Sequence, residues 1–184
     1  MSTLYTVGHS TRSLEELVEL LQAPGVEALV DVRTVPRSRR HPQFERDALS
    51  RDLPARGIGY HHEKALGGFR RPRNDSPNRG WQHPAFRGYA DHMESDEFAL
   101  ALSRLQAQAR EQATCVMCAE AQWWRCHRRL IADALLVRGW SVLHLGLSAR
   151  PAAHEQTPFA VHGPGHRLTY PPVQAELPLE EQGT

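Results

Sequence analysis

Lysine is almost missing from this chain. Lys64 is the only one, so nearly all of the positive charge in its 22 basic residues is arginine. A coding bias that replaces lysine with arginine accounts for this more simply than selection for phosphate binding, so arginine abundance alone decides nothing. Cysteine is scarce too. Three residues, Cys115, Cys118 and Cys126, are too few and too clustered for a secreted disulfide framework, and in a reducing cytosol they read as thiols, ligands or catalysts. No window approaches the roughly 18 apolar residues of a membrane span, and the opening MSTLYTVGHS has no basic segment followed by an apolar stretch. The expectation is a soluble, cytoplasmic protein with no membrane partner. Excess charge of one sign is also lacking. A net charge of +1 argues against coating nucleic acid through bulk electrostatics and leaves only local basic patches. There is no internal repeat.

What is present fits one ordinary domain: 184 residues, 40% of them hydrophobic. Residues 4–8 form an apolar strand, after which Ser13 and Glu16 have the spacing of a helix-capping box and Leu14, Leu17, Val18 and Leu21 share one helical face. Further strands are expected at about 27–33, 57–62, 114–120 and 141–145. Helices fall between them at about 43–53, 83–93, 97–112 with a cap at Asp96, and 126–138 with Gly139 at its end. Strands alternating with helices predict an α/β fold, a Rossmann-like three-layer sandwich with a mostly parallel sheet of about five strands over residues 1–146. Residues 147–184 show no clear period and read as an irregular C-terminal tail. In such sheets ligands bind beyond the carboxyl ends of the strands. Those ends carry His9 and Ser10, Asp31 and Arg33, Tyr60 to His62, and Cys118 to Glu120. Any one of them is explained as a turn residue, but their joint placement favours a site.

The segments TVGHS, VDVRTVPRSRRHPQF, GIGYHHEKALGG, MCAE and CHRRLIADAL, in that order, resemble the signature blocks of the domain of unknown function 488 family over about residues 4–145. The resemblance implies an α/β domain. It also implies that the family's shared polar positions fall on His9, Ser10, Asp31, Arg33, Pro36, Gly67, Gly68, Cys118, Glu120, Cys126, His127 and Arg128, with Cys115 and the tail outside the pattern. It implies no particular reaction.

The stretch from Cys118 to Arg129 joins a strand end to a helix start. A cysteine placed there among arginines ionises more readily than a free thiol, which makes Cys126 a candidate thiolate. The candidate catalytic set is Cys118, Glu120, Cys126, His127 and His9, with a cysteine as nucleophile and Glu120 or a histidine as acid/base. Candidate substrate-binding positions are Ser10, Asp31, Arg33, Arg37, Tyr60, Gly67, Gly68 and Arg128. Each cysteine alone reads more simply as a small buried hydrophobe, whereas the cluster reads as a site. A metal site ranks lower, because Cys115 and Cys118 are three apart on a strand and point to opposite faces, which leaves only Cys118, Cys126 and His127. Gly67-Gly68 lacks a following dinucleotide fingerprint, so no cofactor is assigned. The leading expectation is a small enzyme acting on an anionic, nucleotide- or nucleic-acid-related substrate. The alternative is a non-catalytic module in which arginine loops and Trp81, Tyr89, Trp123 and Trp124 hold a nucleotide or a single strand. Cys118 and Cys126 are expected close together without a permanent bridge, and no oligomeric state is assigned.

Overall fold

Backbone ladders in the computed structural model, which describes residues 2–173, start and stop where local side-chain chemistry lets them. Strand β1 (Thr3–Gly8) leads into helix α1 (Leu14–Gln22). The capping box closes that helix: Ser13 Oγ accepts from the Glu16 N–H, and the Glu16 carboxylate accepts from the Ser13 N–H at 2.7 Å. Next come β2 (Ala28–Asp31), α2 (Arg46–Asp52), β3 (Gly59–His62), α3 (Pro84–His92), α4 (Asp96–Glu111), β4 (Thr114–Cys118), α5 (Arg128–Leu136) and β5 (Ser141–His144). The cap of α4 is Ser95, not Asp96. Its hydroxyl accepts from the Phe98 N–H, which leaves Asp96 and Glu97 to face the positive end of the helix dipole.

The main sheet has the order β3-β2-β4-β1-β5-β6. Its first five strands are parallel, and Ala152–Ala153 (β6) adds a sixth, antiparallel to β5. Val161–His162 (β7) and Leu168–Thr169 (β8) pair separately. Two-residue strands carry no readable alternation, which is why the sequence shows no period here. Residues 174–184 of the expected tail lie outside the described residues.

Alternation along the strands divides the core into two layers. Leu4, Val30, Val32, Val116 and Val142 pack with side chains of α4 and α5, while Val7, Leu29, Cys115 and Met117 pack with those of α1 and α2. The helix following β1 therefore covers one face and the helix following β4 the other. The chain leaves these neighbouring strands in opposite directions and opens a crevice at their carboxyl ends. At this point the Glu120 carbonyl crosses so close to Gly8 that no Cβ fits there. Among the described residues no helix is long and apolar enough to cross a membrane.

Candidate functional site

Two groups of polar side chains stand at the crevice, and they differ in what remains free to act. In the first, Asp31 and Arg33 project from one side of the β2 end. The Arg33 guanidinium grips the Asp31 carboxylate, with Nη2 to Oδ2 at 2.6 Å and Nε to Oδ1 at 2.9 Å, and also donates to the Phe44 carbonyl. Tyr60 donates its hydroxyl to Asp31 at 2.8 Å. His9 lies 3.3 Å from Arg33 through Nε2 and stacks on Phe44. Burial pushes the His9 imidazole down to about 4, with the Arg33 charge adding to this against the hydrogen bond to Ser10. This group is buried and internally paired, so Asp31 and His9 act as the footing of the wall that Arg33 presents. Ser10, in the left-handed region at φ 49°, carries the turn after β1.

The second group gathers two cysteines and a histidine. Cys115 is buried on the α1–α2 face, and Cys118, at the end of β4, faces the opposite side as strand alternation requires. After the turn through Glu120 the chain returns with Cys126 and His127. The Nδ1 atom of His127 lies 3.6 Å from Cys126 Sγ and 3.9 Å from Cys118 Sγ. All three donor atoms lie within 4.8 Å of one another, and both cysteines are free thiols. The Val32 carbonyl, 3.1 Å from Nε2, can only accept, so that nitrogen carries a proton and Nδ1 is the atom turned toward sulfur. Gly68 is what lets the ring sit there, since a Cβ on it would come within 2.5 Å of Nδ1.

Cys126 precedes helix α5 by two residues rather than opening it, so the helix start is not its main support. Burial opposes its ionisation. The hydrogen bond from Cys118, together with His127 and Arg128, outweighs burial and holds the Cys126 thiol well below the usual range. Cys118, which gives that hydrogen bond and is itself largely enclosed, is pushed well above it. Arg128 is buried behind the sulfurs. It donates from Nε to Cys126 Sγ at 3.5 Å and from Nη2 to the carbonyls of Glu120 and Ala121.

These groups floor a cavity of about 580 Å³. Its walls bring Arg33, Arg37, Gly68, Glu120 and Arg125 together with Cys118, Cys126 and His127. Arg37 and Arg125 are exposed and take part in no ion pair among the described residues, whereas Arg70 and Arg73 are held by Glu97 and Glu94. Of the sequence-predicted positions, His9, Ser10, Asp31, Tyr60, Gly67 and Arg128 are not on the cavity wall. Gly67 instead packs tightly against Thr34. The aromatics divide in the same way. Trp81 and Tyr89 are core residues and Trp123 stacks on His144, so of the four only Trp124 reaches the cavity, joined there by Phe69, which is 81% exposed. Sequence reasoning missed Thr6, Asp133, His144 and His154, a buried polar group behind Arg128. A histidine inside the apolar strand SVLHL was the one signal pointing to it.

A three-layer α/β sandwich with two cysteines and a histidine gathered beyond its parallel strands is the class these observations define. A family model described as a domain of unknown function, DUF488, matches residues 13–135, more than half of the chain, and the chain belongs to that family. No curated protein and no solved structure matches it.

Proposed function

We propose that the chain is an enzyme whose reactive centre is an open metal site formed by Cys118, Cys126 and His127, working on an anionic substrate held in the cavity above it. The observation that carries this reading is the convergence of three N/S donor atoms within 4.8 Å at the cavity floor. A tetrahedral ion with zinc-like bond lengths needs donors roughly 3.5–3.8 Å apart, and the two sulfur–nitrogen separations of 3.6 and 3.9 Å are close to that. The donor set suits zinc and similar borderline-soft ions and disfavours magnesium or calcium. The supports around it are those of a ligand set: Val32 orients the histidine through its outer nitrogen, and Arg128 donates to a sulfur. Such an ion would polarise a substrate oxygen or acidify a bound water. Arg37 and Arg125 would grip the anion, Phe69 and Trp124 would cover its apolar part, and Glu120 would exchange a proton with it.

Cys126 as a nucleophile is the second reading. It is favoured by the contact of that sulfur with His127 Nδ1, which donates to a thiolate when protonated. Access counts against it, because the ionised sulfur belongs to a residue only 5% exposed, while the outer sulfur of Cys118 keeps its proton.

Metal-free protein titrated with Co²⁺ or Zn²⁺ separates the two. One ion per chain is expected, with thiolate-to-cobalt charge-transfer absorption that disappears in Cys118→Ser, Cys126→Ser and His127→Gln and persists in Cys115→Ser. Absence of binding, or equal binding by Cys126→Ser, would remove the metal reading, and selective alkylation of Cys126 undiminished by zinc would install the nucleophile in its place.

A further inference from the structure

Behind Arg128 runs a chain of buried hydrogen bonds that neither reading of the centre uses. Asp133 of α5 is fully buried and, as a carboxylate, can only accept. It takes hydrogen bonds from His154 Nε2 at 2.9 Å, from the Tyr170 hydroxyl at 2.9 Å and from the Thr157 N–H at 3.0 Å. With the one proton of His154 placed on the nitrogen that meets Asp133, its Nδ1 is an acceptor, and the atom facing it at 3.0 Å, His144 Nε2, is the donor. That leaves His144 Nδ1 to accept from the Thr6 hydroxyl at 2.6 Å. Thr6, its proton committed, offers a lone pair to Arg128 Nη1 at 3.4 Å. Every link from Arg128 back to Asp133 has one donor and one acceptor, and all of these donors point the same way. On its other side, Arg128 Nε points at Cys126 Sγ. Burial, with His154 adding to it, holds the His144 imidazole down to about 3, so this ring is neutral as the chain requires. Trp123 closes it off from solvent, stacked 4.2 Å away at 7°.

We propose that Asp133, His154, His144 and Thr6 form a positioning relay that fixes the rotation of the Arg128 guanidinium and thereby the N–H aimed at Cys126, which makes the segment carrying His154 and Tyr170 a working part of the site. Without the relay Arg128 keeps its two carbonyl contacts through Nη2, and the other edge of the fork is free to swing. The proposal rests on Cys126 being the reactive sulfur and is indifferent to whether that sulfur binds metal or attacks carbon.

The test uses metal-free full-length protein. Thr6→Val removes the hydroxyl while keeping a β-branched strand residue, and Thr6→Ser restores the hydroxyl. Solvent exchange of the Arg128 Nε–H, followed by side-chain nitrogen NMR at pH 7, should quicken about fivefold to tenfold in Thr6→Val and return to the parent rate in Thr6→Ser. An unchanged rate in a folded Thr6→Val would overturn the relay. Side-chain nitrogen NMR of the parent tests the relay independently, even if Thr6→Val does not fold. His144 and His154 should each show the proton on Nε2, and a proton on Nδ1 of either ring would overturn the assignment. Failure of the parent to bind zinc alongside quickened Nε–H exchange in Thr6→Val would reject the metal centre and leave the relay standing.

Discussion

At the scale of single residues, the site depends on one missing side chain. Gly68 leaves the space that His127 Nδ1 needs, and a methyl group there would push the ring off the Val32 carbonyl and away from both sulfurs. Gly68→Ala is therefore expected to keep the fold, since the loop is at the cavity wall, and to weaken zinc binding by about tenfold or more. Calorimetric titration checks this, and parent-like affinity would contradict the role given to the glycine. Two buried histidines set the acid limit of the fold. His9 and His144 stay neutral in the folded protein down to about 4 and about 3, whereas in the unfolded chain they take up protons below about pH 6.5. Their stabilisation is complete above that pH and is lost as pH falls, at about 2 kcal/mol for each between pH 7 and pH 5. Urea midpoints at the two pH values measure it, and equal midpoints would show that both rings protonate in place. Opposite faces for Cys115 and Cys118 were legible from strand period alone. The partners of Asp31 and Arg33 were not, because spacing shows that two groups share a side and not whether they consume each other.

At the scale of elements, the sequence was legible wherever a full period fits inside one segment. The Ser13–Glu16 box, the leucine face of α1 and the apolar run of β4 are complete local signals, and they appear as expected. The connection between β3 and α3 carries no period, because its order comes from distant groups. Asp91 in α3 accepts from Ser76 and Asn78, and Asn78 accepts from the Tyr170 N–H. The apolar pattern places the start of α5 two residues too early, and this changes the chemistry, since Cys126 draws its acidity from side chains more than from helix amides. The tightest joint between elements is Gly8 against the turn after β4. Gly8→Ala cannot be accommodated without separating β1 from the Glu120 carbonyl, so a loss of about 3 kcal/mol or more is expected in chemical denaturation. Near-parent stability would mean that the turn gives way freely.

At the scale of the whole molecule, the boundary read near residue 146 coincides with the last parallel strand but not with the limit of the core. Tyr170, Leu168 and His154 are buried among the α3, α4 and α5 side chains and the Asp133 group. A chain ending at residue 146 would leave Asp133 a buried carboxylate without its three donors, a defect of about 3–5 kcal/mol before any apolar loss. Such a truncation is expected to lose cooperative unfolding, and a sharp thermal transition at the parent temperature would refute this. Of the site, the sulfurs, His127 and the cavity arginines were legible as motifs. The relay was not, because Thr6 lies 122 positions from Arg128 and 138 from His144 along the chain.

The placement of β1 also has a consequence in time. Tyr5 lies between Cys115 of β4 and Leu143 of β5, which are made only after α1, α2, α3 and α4. Strand β1 is therefore without either neighbour until those four helices have left the ribosome, and loop closures of this span are slow. The nascent chain must hold an apolar strand unpaired while the intervening helices are made, and Cys118 reaches its place beside β1 only once β4 has followed them.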